Sequence, residues 1–288
     1  MLKQRILTAL ILAPLAIAAI FYLPINYFGG FILAVMAIGA WEWGPLMGVT
    51  GKAKRWAFVI STALLIAVFW WYQPLEQIWL INKKPEQAVL SVLWLAVIWW
   101  ILSAVLTYMY PKLSKFWSNN RAIRGVFGLL TLVPTWLAFM VLRTHDYSLE
   151  RYSGAQLIML LFLIVWSADV GAYFVGKAFG KHKLLPNVSP GKTIEGFLGG
   201  IVFSCLMVVL AGYIVGWNST QFTTVLMVTI LMTTVSVLGD LNESMFKRQA
   251  GVKDSGTLLP GHGGILDRID SLTATAPIYA LCYIMIGW

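Results

Sequence analysis

The chain has 288 residues, of which 59% are hydrophobic and only 11% charged, with a formal net charge of +9. Soluble domains carry about 25% charged residues, so this composition, with a mean hydropathy of +0.77, excludes an ordinary soluble fold and predicts an all-α polytopic integral membrane protein. No polar interval is long enough for a separate soluble core, and the positive excess reads as loop charge suited to anionic lipids and nucleotides rather than to nucleic acid.

A spanning helix needs about 20 mostly apolar residues. Nine stretches qualify: 6–23, 27–48, 56–73, 88–109, 122–142, 155–179, 194–216, 221–240 and 271–288. The first has the basic start and apolar run of a signal peptide, but the spans behind it favour a retained helix, followed by a tight turn at Leu23-Pro24-Ile25-Asn26. Placing the N-terminus inside puts seventeen of the 21 basic residues on inner segments and leaves Lys83, Lys84, Arg143 and Arg151 outside. That asymmetry predicts a cytoplasmic N-terminus and an outer C-terminus. Cys205 and Cys282 lie in apolar runs and read as packing residues with no disulfide or metal spacing. The unusual polar residues fall in the C-terminal half. Residues 1–150 therefore read as scaffold and lipid-facing helices and 151–288 as the catalytic part of one continuous membrane domain.

Asp169 is the first of these polar residues, roughly 15 Å along its helix from the inner end at 1.5 Å per residue. A carboxylate at that depth costs about 2.5–3.5 kcal/mol on insertion scales, so it is either functional or paired within the bundle. The next segment, KHKLLPNVSPGKTIEG (181–196), ends in a GKT but is not a Walker A motif, because Pro186 stands where the first glycine belongs. Ser189 followed by Pro190 reads as a helix start, and Lys192 and Thr193 beside such an N-terminus would attract an anion. The segment equally suits a capped helix with positive-inside lysines. Gly176 and Gly180 have the four-residue spacing of close helix packing, within the chain or in a homodimer.

Asp240 lies at the inner end of the eighth span. On a continuing helix Glu243, Ser244 and Lys247 share its face, either as a metal and phosphate stripe or as an ordinary ion-paired one. Residues 244–270 then gather Lys247, Arg248, Lys253, Asp254, His262, Asp267, Arg268 and Asp270 around five glycines, Gly263 and Gly264 among them. Glycines permit close backbone approach to a ligand. Asp267 and Asp270 share a face if helical. With Asp240 they place carboxylates suited to Mg²⁺ amid cations that balance polyphosphate.

At this point the residues resemble a known family. Ser244, Phe246, Lys247, Arg248, Lys253, Asp254, Gly256, Leu259, Pro260, His262, Gly263, Gly264, Ile265, Asp267, Arg268, Ile269 and Asp270 fill, without a gap, a pattern similar to the signature of the phosphatidate cytidylyltransferases, also called CDP-diacylglycerol synthases. The similarity extends to Gly239-Asp240-Leu241, Ser189-Pro190-Gly191-Lys192-Thr193, Trp166-Ser167-Ala168-Asp169 and Trp41-Glu42-Trp43, with Ile194 a departure from the expected Trp. The resemblance implies transfer of a cytidylyl group from CTP to phosphatidic acid, giving CDP-diacylglycerol and pyrophosphate. It implies Mg²⁺, with K⁺ as a second cation, and metal ligands at Asp240 and Asp267, which Asp270 joins as a candidate from the face it shares with Asp267. Lys247 and Asp169 join the aspartates as catalytic candidates. Ser189, Lys192, Thr193, Ser244, Arg248, Lys253, His262, Gly263, Gly264 and Arg268 are the candidates for substrate phosphates. It places the protein in a bacterial-type cytoplasmic membrane among its lipids, the site facing the cytoplasm. Two other readings share these residues: a CTP-dependent transferase acting on another membrane lipid, and an ion-coupled transporter using Asp169 as a relay.

Overall fold

The computed structural model describes residues 2–79, 85–259, 261 and 263–288, excepting the side chains of residues 2–9 and of Glu76. Lys83, Lys84, Pro260 and His262 lie outside the described residues. The chain folds as α1 (Leu2–Tyr22), α2 (Ile25–Leu46), α3 (Lys52–Tyr72), α4 (Gln87–Tyr108), a short α5 (Ser114–Trp117), α6 (Arg121–Thr144) and α7 (Ser153–Phe179). A hairpin follows, β1 (Lys183–Leu185) and β2 (Ser189–Thr193), and then α8 (Ile194–Val215), α9 (Ser219–Ala250) and α10 (Leu266–Ile286). Eight of these helices are long and apolar enough to cross a membrane, and α1 adds the shorter described apolar stretch Leu10–Tyr22. The all-α membrane reading holds, with the small hairpin as its exception among the described residues.

Local chemistry sets the ends. The side chain of Asn120 accepts from Ala122 N at 2.9 Å and caps α6. Asn218 and Gln221 form a reciprocal capping box at α9. Gly216 and Gly251 end α8 and α9 with φ of +81° and +71°, the left-handed region that glycine enters without a Cβ penalty. Helix α6 runs through the centre, packed by α2, α3, α4, α7 and α10. Its Thr131 hydroxyl accepts from the Trp99 indole at 3.0 Å, and its Thr135 hydroxyl donates to the Thr273 carbonyl of α10 at 3.1 Å. Trp43, Trp117, Phe127 and Phe246 pack at tilted and edge-on angles into an aromatic cluster beneath the site-bearing end of the bundle.

The expected close packing at Gly176 and Gly180 is made inside the chain. A Cβ on Gly176 would meet Thr193 and Gly196, and one on Gly199 would meet the Val175 side chain. Helices α7 and α8 thus touch along a glycine seam, as close-packed membrane helices do. Gly199→Leu is expected to force this seam apart at a cost of about 1–3 kcal/mol or more. Thermal unfolding in detergent checks this; an unshifted midpoint would contradict the seam.

One local expectation is corrected. Ser189 and Pro190 do not start a helix: they lie in β2, and Thr193 is the residue that caps α8, accepting from Gly196 N at 3.1 Å. Proline is compatible with this two-stranded hairpin, whose strands each have a free edge.

Candidate active site

The stripe on α9 forms because the helix continues beyond its apolar part to Ala250. Lys247 Nζ lies 3.0 Å from Glu243 Oε2, the intrahelical pair expected of that spacing, and 2.7 Å from Asp267 Oδ1 on α10. Asp267 also accepts from Ser255 N at 3.0 Å and from Gly264 N at 2.8 Å. Its carboxylate is therefore clasped by one ammonium and two amides, and its side chain is only 6% exposed. Gly263 holds φ of +83° beside it, and a Cβ there would strike Asp267. The loop closes further where Leu259 N donates to Gly263 O at 2.9 Å.

A second carboxylate centre lies on Asp240. Lys192 Nζ, delivered by β2, is 2.5 Å from Asp240 Oδ2, and the Ser271 hydroxyl donates to Oδ1. The hairpin is held in place to make this contact. Lys181 N and His182 N donate to Glu195 at 3.1 and 3.2 Å, while Arg248 Nε donates to the Val188 carbonyl at 3.3 Å. Gly239 permits the approach of α9 to α10, since a Cβ there would meet the Asp270 carbonyl and Ala274.

Two cavities meet at these residues. The larger, about 650 Å³, has a polar floor of Lys192, Asp240, Ser244, Lys247, Asp267 and Asp270, with Asp169, Asp254 and Arg268 also on its wall. Its other side is apolar, built by Leu12 and Leu15 of α1, Phe31 and Val35 of α2 and Phe162 of α7. The smaller, about 400 Å³, lies between α7, α8 and the hairpin and is lined in part by Tyr173, Lys177 and Thr193. Asp169, Lys192 and Asp240 border both. A polar floor under an apolar wall suits an amphiphilic ligand with a charged head.

The donor set fits a hard cation in its chemistry. Five aspartates face the larger cavity against Lys192, Lys247 and Arg268, so the lining carries an excess of carboxylate. Among the described residues no three acidic, His or Cys side chains form a ready-made cage. Mg²⁺ bound with a nucleotide commonly uses one or two carboxylates and completes its shell with phosphate oxygens and water.

The fold thus brings Asp169, Lys192, Asp240, Ser244, Lys247, Asp267, Arg268 and Asp270 to one cavity. Gly263 and Gly264 support Asp267 from the loop. Thr193 is buried as a helix cap at the edge of the smaller cavity. Ser189 stays in the hairpin, Arg248 is engaged with Val188, and Lys253 is exposed on the loop; none of these three lines either cavity. His262 falls outside the described residues. Sequence reasoning passed over Ser271 and Glu42 as site residues. Nothing local distinguishes Ser271 from other helical serines. Glu42 did carry a signal, a lone carboxylate in an apolar run, the same signal that drew attention to Asp169.

A family model described as the cytidylyltransferase family matches residues 3–286. The chain is 40% identical over 291 residues to the phosphatidate cytidylyltransferase of Haemophilus influenzae, covering 99% of this chain and 100% of that protein. It is 42% identical over 288 residues to the phosphatidate cytidylyltransferase of Pseudomonas aeruginosa, covering 100% of this chain and 99% of the relative. A Staphylococcus aureus protein of the same description is 42% identical over 178 residues, 62% of this chain and 65% of its own length.

Proposed function

This chain belongs to the cytidylyltransferase family, and from that membership we propose that it makes CDP-diacylglycerol and pyrophosphate from CTP and phosphatidate at the cavity floored by Asp240 and Asp267. The observation that carries the reading is the joining of Lys192–Asp240 and Lys247–Asp267 at one cavity whose other wall is apolar. A nucleotide and a lipid headgroup need such a meeting place.

The reaction forms a bond between a phosphate oxygen of phosphatidate and the α-phosphorus of CTP, and breaks the bond from that phosphorus to the oxygen bridging to the β-phosphate. Pyrophosphate leaves. A phosphate monoester is already anionic at neutral pH, its second pKa being about 6, so no general base is required. The chain's task is to place the two phosphates in line and to offset their mutual repulsion. Lys192, Lys247 and Arg268 supply the positive charge, and the apolar wall receives the lipid's hydrocarbon. One or two of Asp240, Asp267 and Asp270 would hold Mg²⁺, with substrate phosphate completing its shell and K⁺ as a second cation. Bound there, the divalent ion supplies Lewis-acid neutralisation of phosphate oxygens. Ser244 at the cavity is assigned to a phosphate contact, while Gly263 and Gly264 act through Asp267, which the Gly264 amide holds.

The charge asymmetry supports placing this end of the bundle at the cytoplasmic face of a bacterial inner membrane, where CTP is supplied. The acceptor is tested by giving the purified protein CTP, Mg²⁺ and either phosphatidate or a polyprenyl phosphate. Product with phosphatidate alone is expected, and product only with the polyprenyl acceptor would move the chain to another lipid. Asp169, on the border of both cavities, is expected to tune the reaction: Asp169→Asn should lower turnover about 10–100-fold with expression unchanged. Lost expression at an unaltered rate per folded molecule would assign it to helix packing instead.

A further inference from the structure

We infer that Glu42, in the half of the chain read as scaffold, is a positioning residue for the transfer reaction: it fixes the backbone that presents Asp267 to the cavity. The inference rests on the assignment of Asp267 to the reaction above. Glu42 is 3% exposed. Its Oε1 accepts from Ile265 N at 3.1 Å, and its Oε2 accepts from Leu266 N at 2.8 Å and from the Ser255 hydroxyl at 3.3 Å. Asp267 is held by the same segments, through Ser255 N and Gly264 N. Three consecutive amides, 264 to 266, are thus divided between two carboxylates, and Ser255 donates its amide to one and its hydroxyl to the other.

The amides at the start of a helix have no intrahelical partner and need an acceptor, which a carboxylate supplies with favourable electrostatics. An ordinary cap comes from the residue just before the helix. Here the acceptor lies 224 positions from Leu266, so the contact ties α2 to the loop and to the first turn of α10. Space around it is closed. A Cβ on Gly256 would meet the Glu42 carboxylate, and one on Gly264 would meet both Glu42 and the Ser255 hydroxyl. The anchor itself is fixed from both sides. The Trp43 indole donates to the Arg124 carbonyl at 2.9 Å and packs against Phe246, and the Arg55 guanidinium donates to the Trp41 carbonyl while lying 3.8 Å from the Trp41 ring centre. A carboxylate so immobilised transmits its position to the loop that holds Asp267.

Glu42→Gln tests this, because the amide keeps one acceptor but turns an NH₂ toward groups that donate. The expected result is a fall in kcat of about 10–100-fold per folded molecule, the range seen when a residue orienting a functional side chain is lost. KM for CTP should move little, since Lys192 and the β2 hairpin are untouched. Hydrogen exchange at residues 254–259 and 263–267 should rise. Ser255→Ala, which loses only the hydroxyl contact and keeps the amide to Asp267, should lower kcat in the same way by a smaller factor. Wild-type kcat per folded molecule in Glu42→Gln, whether or not its unfolding temperature falls, overturns the inference. If Glu42→Gln does not fold, Ser255→Ala decides: reduced kcat at an unchanged KM supports it, and wild-type kcat overturns it. An inactive wild-type protein would defeat the proposed function, whereas an active wild type with an equally active Glu42→Gln defeats this inference alone.

Discussion

Asp240→Asn is expected to cut turnover about 10²–10³-fold, the loss typical of removing one electrostatic contact made at the reacting centre, while the protein still folds. Asparagine has the same shape, and the Ser271 hydroxyl can still donate to its oxygen. What disappears is the charge that pairs with Lys192 at 2.5 Å. That lysine is then free to bind substrate phosphate in the wrong register or to repel the cation the carboxylate would hold. The pair is only partly buried, its side chains being 28% and 22% exposed, so the stability cost should stay near the ~1.5–3 kcal/mol of a charge-assisted hydrogen bond. Initial rates of CDP-diacylglycerol formation and thermal unfolding on one preparation read both quantities. A near-normal rate would remove Asp240 from the reaction.

Asp267→Asn should be as severe in rate and more costly in stability. Its carboxylate takes Lys247, Ser255 N and Gly264 N together, and an amide cannot accept from all three. One NH₂ must face a donor, and Lys247 keeps only Glu243, at 3.0 Å. Breaking a buried pair from one side typically costs about 3–5 kcal/mol, so the unfolding temperature should fall further than in Asp240→Asn. The rate must therefore be expressed per folded molecule. A folded Asp267→Asn protein with near-wild-type turnover would refute the assigned role.

The contrast between these two aspartates shows what local pattern conveys. The apolar runs announced the helices because hydrocarbon thickness dictates their length, and the spacing of Asp240, Glu243, Ser244 and Lys247 announced one face because helical periodicity does. The Lys247–Glu243 pair follows from that spacing alone. The Lys192–Asp240 pair spans 48 positions and depends on a hairpin folding over α9. Serine followed by proline before an apolar run mimics a helix start, and only the pairing of Lys183 with Thr193 and of Leu185 with Ser189 reveals strands. Glu42 shows the same limit at greater range. Its buried charge demanded partners, but those partners were the amides of a loop more than 200 positions away, invisible to any periodicity. The division into scaffold and catalytic halves is correspondingly blurred, since α1 and α2 wall the cavity and α2 braces the loop.

The proposed reaction transfers the cytidylyl group itself at this cavity. The direct measurement uses purified protein, phosphatidate, Mg²⁺ and CTP labelled in separate reactions at the α- or the γ-phosphorus. The α-label is expected to enter the lipid fraction in step with release of pyrophosphate, and the γ-label to leave entirely as pyrophosphate. No lipid-borne α-label from folded protein, or γ-label found in the lipid, would contradict the account.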